Sequence, residues 1–337
     1  MILNFKDIYL AAAGGLLIGI ATSIHYLLKG RVTGFSGIFY SLITFDKNSF
    51  YWKLSLMSSV VLSSSLLFKF YGFTPILEGA SPSFDPINQI SKIGYIGAAI
   101  AGFLVGFGTK LGNGCTSGHG VCGLPRLSVR SMAAVASFMT FGILTATLKD
   151  QLVLEQPTKL LIDNVDMTNT LAMIISGILT LVGIIGQTKQ NKKTMIDAII
   201  SSVVGLVFGA GLVVSGMAKR SKILGFLTFN KSWDPSLMFV MMGAVSLNLI
   251  TFNLLEKPIL SDKWDLPTNK KIDFKLILGA SIFGIGWGIG GLCPGPAFSL
   301  FPQFTAQIAA VFLPCLALGQ INANKFSQYL DQKSKSN

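Results

Sequence analysis

The chain has 337 residues, of which 51% are hydrophobic and 12% charged, with a mean hydropathy of +0.61; an ordinary soluble domain carries about 25% charged residues. That balance excludes a soluble globular protein, a disordered chain and a secreted disulfide scaffold. Lys and Arg number 27 against 15 Asp and Glu, a net charge of +12, yet the basic residues stand between apolar runs and form no patch, as membrane flanks do and a nucleic-acid surface does not.

A helix needs about 20 apolar residues to cross the hydrocarbon core. Spans are predicted at 8–28, 52–71, 92–111, 128–148, 168–187, 195–218, 235–255, 273–292 and 303–322. The first is long for a signal-peptide core and is followed by Lys29 and Arg31, so it reads as a retained span. Four shorter apolar pieces, 34–45, 116–125, 222–230 and 294–301, each follow Gly, Pro or a basic residue. They are too short to cross and read as half-helices dipping into the protein. The expected fold is an all-α polytopic membrane protein of about nine transmembrane helices and four half-helices.

Internal repetition organises these elements. Gly15-Leu-Leu-Ile-Gly19 resembles Gly205-Leu-Val-Phe-Gly209, and each is followed by a basic turn, a Gly-Phe pair (Gly34-Phe35, Gly225-Phe226) and another apolar span. GFGTKLGNGC, Gly106 to Cys115, aligns without gaps to GIGWGIGGLC, Gly284 to Cys293. Two copies are therefore expected, at 1–150 and 193–325, joined by a linker at 151–192 that holds one span and followed by a polar tail at 326–337. An odd number of spans before the second copy inverts it, the plan of many transporters whose sites form near the midplane from discontinuous helices. A duplicated bundle without transport is the competing reading. Odd-numbered loops plus the C-terminus carry twice as many Lys and Arg as the other side, which puts the C-terminus in the cytoplasm and the N-terminus outside, in a plasma or inner membrane. The loops of Cys115 and Cys293 then enter from opposite sides and can meet near the middle.

The densest segment for chemistry is GNGCTSGHGVCGLPR, Gly112 to Arg126. Its glycines, Gly114 among them, let backbone N–H groups converge; Asn113, Thr116 and Ser117 offer neutral donors, and the short helix that follows aims its positive end at a bound anion. Alternatively the hydroxyls only satisfy backbone groups freed by a Gly-rich break. Cys115 and Cys293 hold equivalent positions, each between a Gly-spaced helix and a short piece. A neutral thiol is a weak donor and a soft, polarisable contact, suited to a sulfur-bearing anion that a thiolate would repel; two small buried hydrophobes are the plainer alternative. Cys122 and Cys315 have no such match and read as packing residues.

Other motifs carry less. Cys115, His119 and Cys122 supply only three metal ligands, and His25 has no evident reason to join them, so no metal is expected and His119 reads as a lining residue or loop anchor. Gly286-Trp-Gly-Ile-Gly-Gly291 matches a dinucleotide pattern but lies in an apolar helix with no strand before it. No cofactor and no catalytic residue is expected. The spans are nearly free of carboxylates, so a carboxylate proton relay lacks parts. Lys219, Arg220 and Lys222 fall on the expected outer side, either steering anions or anchoring headgroups.

The segment Gly106 to Ser131, GFGTKLGNGCTSGHGVCGLPRLSVRS, resembles the signature of the YeeE/YedE sulfur-transport family. GLVFGAGLVVSGMAKRSKILGFL with WDPSLMFVMMGA, Gly205 to Ala244, and GIGGLCPGP, Gly288 to Pro296, resemble the family's second half, so the chain is similar to a fusion of two half-size members. The resemblance implies inverted halves, short inward helices and import of thiosulfate or a related sulfur-containing anion along cysteine thiols, at Cys115 and Cys293 here. A further family cysteine in the first span has no counterpart: Gly19 to Lys29 holds Thr22, Ser23 and His25. Ser23 or His25 is the candidate replacement, and Ser36 a secondary lining candidate. The other readings are a membrane redox or sulfur-transfer protein using Cys115 and Cys293, and a non-transporting membrane subunit for a soluble sulfur-handling partner. The expected partners are thus a small anion and the lipid bilayer, with no nucleic acid.

Overall fold

The computed structural model describes residues 5–71, 94–151, 165–190, 195–231, 233–301 and 305–336. In chain order the helices are α1 (Phe5–Lys29), α2 (Phe35–Ile43), α3 (Phe50–Tyr71), α4 (Gly94–Leu111), the π-helix α5 (Thr116–Gly123), α6 (Val129–Gln151), α7 (Val165–Gln190), α8 (Met195–Val214), α9 (Arg220–Leu227), α10 (Ser236–Thr251), α11 (Phe274–Gly290), α12 (Pro294–Leu300) and α13 (Leu313–Ser336). A π-helical turn, Thr305–Phe312, leads into α13. Among the described residues there is no strand, only an isolated bridge between Arg31 and Asp265.

Seven of the nine predicted spans coincide with described helices long and apolar enough to cross a membrane, and the chain is an integral membrane protein. The other two differ. Pro235 fixes the start of α10, which has 16 residues, and the span predicted at 303–322 falls on the π-turn and the first half of α13, its opening residues lying outside the described ones. α2, α5, α9 and α12 stand at the four short apolar pieces, α9 beginning two residues early at Arg220. α13 carries on through the polar segment to Ser336.

Helix contacts come in exchangeable pairs: α3 packs on α8 as α10 packs on α1, and α4 on α13 as α11 on α6, while α1 meets α8 and α4 meets α11. α7 falls outside this scheme and lies mainly along α3. In lipid these contacts rest on close backbone approach and small polar residues, because hydrocarbon tails are as apolar as Leu. A methyl group on Gly284 would sit 2.5 Å from the Phe138 carbonyl oxygen, and one on Gly106 would overlap the Leu316 backbone. α3 supplies buried Ser58 and Ser64, whose hydroxyls lie 2.8 Å from Thr180 and 2.7 Å from Ser299. The face of α7 marked by Leu171, Ile174, Ile178, Leu181 and Ile185 is exposed, a helical stripe for lipid.

Candidate functional site

The two aligned Gly-rich segments end alike. After α4, Asn113 takes a left-handed conformation (φ 58°), and Cys115 is the extended residue before α5; after α11, Gly291 is left-handed (φ 63°), and Cys293 is the extended residue before α12. Gly and Asn tolerate this region best, and a left-handed residue is how helices commonly stop. In each half a long helix brings its negative end and a short helix its positive end to the cysteine.

The two loops meet. Thr116 Oγ1 lies 3.5 Å from Cys293 Sγ, and Cys115 Sγ lies 3.3 Å from Ser117 Oγ. Ser117 Oγ also accepts the Phe35 N–H at 3.1 Å, which ties the start of α2 to the group. Both cysteines are buried, and all four in the chain are free thiols. Neither α5 nor α12 has a side-chain cap. Pro294 and Pro296 lack N–H groups, so Gly295 alone among the first three residues of α12 has one, and α5 is the richer donor end. The wide π-turns of α5 are of a kind that recurs at functional sites.

The negative helix ends are covered. His119 Nε2 lies 3.2 Å from the Gly112 carbonyl, and its Nδ1 3.1 Å from Ser131 Oγ. Gly114 is needed beside this ring, since a methyl there would approach it to 2.6 Å. At the other half, buried Arg220 donates through Nε to the Gly290 carbonyl at 2.7 Å and through Nη2 to Ile289 at 3.4 Å. Lys219 and Lys222 are buried as well, and Lys222 Nζ pairs with Asp7 at 2.8 Å and Asp234 at 3.4 Å. The charge of Arg220 thus acts on the end of α11, three residues before Cys293.

Ser23 and His25 are engaged elsewhere. Ser23 donates to Asn248 Oδ1 at 2.9 Å, and His25 Nδ1 lies 2.9 Å from Thr33 Oγ1 with its ring edge-on to Trp52. Asn248 Nδ2 in turn donates to Thr22 and to the Val121 carbonyl of α5, both at 2.9 Å. Asn248 escaped the sequence reading, although an amide inside an apolar span is costly enough to have marked it.

A cavity of about 520 Å³ opens beside the Cys115 loop. Asn113, Gly114 and His119 line it together with Ser36, whose carbonyl accepts from Gln320 Nε2 at 2.9 Å. Its charged lining was not foreseen: Arg31, Lys53, Lys110, Arg126 and Arg130 against the single carboxylate of Asp265. Read along the chain these cations look like ordinary membrane flanks, and only the fold gathers them.

Residues 196–326 match a family described as of unknown function, DUF6691. A protein of Xylella fastidiosa (strain Temecula1) named "Probable transporter" is 36% identical over 126 residues, covering 36% of this chain and 84% of the relative. A second protein of that name and strain is 37% identical over 134 residues, covering 40% of this chain and 89% of the relative. The chain belongs to the family of these probable transporters. Its members from strain 9a5c match in the same way, at 36% and 35% identity. Among the described residues seven helices are long and apolar enough to cross a membrane, as befits a chain related to probable transporters.

Proposed function

We propose that this transporter is a permease importing thiosulfate or a related sulfur-containing anion, handed between Cys115 and Cys293 as neutral thiols. The contact between Thr116 and Cys293 carries the reading: it joins two cysteines of aligned segments into one constellation of thiols and hydroxyls at the start of two short helices. Such a site offers weak S–H and O–H donors and uncapped N–H groups, which stabilise an anion without a fixed charge that would trap it. The polarisable thiol favours a terminal sulfur over a hard oxygen. Asn113, Gly114, Thr116, Ser117 and His119 line the approach.

The inverted-repeat architecture, with copies at 1–150 and 193–325 about a linker span at 151–192, is supported by the exchangeable helix pairs. Relatives of which 84% answers to 36% of this chain support a fusion of two half-size YeeE/YedE-type proteins. With the N-terminus outside and the C-terminus cytoplasmic, as the Lys and Arg distribution favours, the cavity opens to the cytoplasm. An inside-negative potential opposes import by about 2.3 kcal/mol per charge per 100 mV, so uptake of a dianion draws on a gradient, a co-ion or rapid consumption inside.

The test is uptake of ³⁵S-thiosulfate and ³⁵S-sulfate into liposomes holding the purified chain. Uptake of thiosulfate but not sulfate, lost in Cys115→Ala and in Cys293→Ala, supports the permease. Normal uptake by both variants overturns the thiol path. The meeting of two loops that each carry a buried free thiol also favours a redox or sulfur-transfer reading, which requires Cys115–Cys293 crosslinks or persulfides to accumulate during turnover; thiols that stay free exclude it.

A further inference from the structure

We propose that Lys110 and Arg126 form a binding site for a divalent tetrahedral oxyanion in the cavity beside the Cys115 loop, an inference that rests on the permease reading. Of the five cations lining that cavity, three are already matched. Arg31 pairs with Asp197 at 2.8 Å and Asp265 at 3.7 Å, Lys53 with Asp46 at 3.8 Å, and Arg130 with Asp273 at 3.4 Å. Lys110 and Arg126 have no carboxylate within 4.0 Å among the described residues. They bracket the thiol loop in sequence: Lys110 stands on the last turn of α4, and Arg126 follows α5.

Lys110 Nζ is held 3.5 Å from the centroid of the Tyr40 ring, and Tyr40 lines the same cavity. An aromatic face orients a cation and lessens its hydration without neutralising it. Two uncompensated positive charges in a partly enclosed space are costly, and a single dianion removes that cost for both. The guanidinium offers a planar fork of donors to an oxyanion, the ammonium a point charge. Such a pair reads charge and tetrahedral shape and is indifferent to sulfur as the outer atom. The site therefore binds sulfate as well as thiosulfate, and the choice between them falls to the thiols.

Isothermal titration of the purified full chain in detergent, with thiosulfate, sulfate and chloride as probes, tests this. The expected result is binding of both dianions and not of chloride, weakened about tenfold in Lys110→Gln and in Arg126→Gln and partly restored in Lys110→Arg and Arg126→Lys. Folding of each variant is followed by its thermal melt. Dianion binding at wild-type strength in folded Lys110→Gln and Arg126→Gln overturns the inference, as does loss of binding in Cys115→Ala while both charge variants bind normally. If the wild-type chain binds neither dianion yet takes up thiosulfate in a thiol-dependent way, the cavity site falls and the permease stands. If both dianions bind at Lys110 and Arg126 but no uptake occurs, the site stands and the permease falls.

Discussion

Asp7 and Asp197 are separated by the same offset as Gly15 and Gly205, and each is buried against a cation carried by the other half of the chain. Asp197, in the first turn of α8, takes both its oxygens to Arg31 Nη1, at 2.8 and 2.9 Å, in the turn after α1. Asp7, in the first turn of α1, pairs at 2.8 Å with Lys222 on α9, after α8. Each carboxylate also lies at a helix N-terminus, where the macrodipole favours it. The two halves thus exchange an ion pair at matching positions in each direction, as two copies of one unit packed about a shared axis would.

These pairs are predicted to hold the halves together. Asp7→Asn leaves buried Lys222 under-compensated, a change worth about 3–5 kcal/mol when a buried pair loses one partner, and Asp197→Asn, whose partner Arg31 is partly exposed and keeps Asp265, costs less. Thermal melts in detergent should fall in both variants. The double variant Asp7→Asn, Lys222→Met should recover part of the loss, since it removes the stranded charge as well. A double variant no more stable than Asp7→Asn contradicts the pairing.

Thr116 links the two cysteines, so its hydroxyl should matter to function while its volume matters to folding. Thr116→Val keeps the shape and removes the group 3.5 Å from Cys293 Sγ. Thiosulfate uptake is expected to fall about tenfold, the effect of losing a hydrogen bond of ~1.4 kcal/mol, with little change in melting temperature. Thr116→Ser should retain most of the uptake. Equal uptake in the valine and serine variants would show that the hydroxyl takes no part.

Much of this arrangement is legible in the chain itself because it is written as repetition. The gapless match of Gly106–Cys115 to Gly284–Cys293 anticipates two helix ends of the same form, and Asn113 and Gly291 take up the same left-handed backbone. Short helices fall where short apolar pieces stand, since a segment too short to cross must end inside the protein. What the sequence hides is whatever depends on distant segments converging. Lys110 and Arg126 read as membrane flanks until α2, α4 and α6 fold their ends around one cavity. Arg220 reads as an exposed charge, and only the packing of α9 brings it to the α11 carbonyls.

Asn248 is expected to be the strongest single polar contribution to the packing of α5. Its amide joins Thr22 and Ser23 of α1 to the Val121 carbonyl, and it is fully buried. Asn248→Leu strands at least two of these groups, at about 1–3 kcal/mol each. The melting temperature should drop, and Cys115 should become more reactive to a membrane-permeant maleimide as α5 loosens. A variant with lower stability but unchanged Cys115 labelling would limit Asn248 to bundle stability and remove it from the positioning of the thiol loop.

Arg220 is predicted to tune anion affinity from behind the site. α11 ends three residues before Cys293, and its last carbonyls present partial negative charge there; Arg220 covers those of Gly290 and Ile289, the latter shared with Lys149 at 3.3 Å. Arg220→Met uncovers the Gly290 carbonyl while Lys149 still reaches Ile289, a change of about 1 kcal/mol for a partly buried helix end, or roughly fivefold in affinity. The KM for thiosulfate uptake should rise more than kcat falls, because the loss acts on the bound anion whatever the transport step. Arg220→Lys retains the charge but not the fork, and an intermediate KM is expected. Since the guanidinium is buried, raising the salt concentration should leave the ratio between variant and wild type nearly constant. A ratio that collapses with salt would mean that Arg220 acts at long range through solvent, on the approach of the anion and not on its binding.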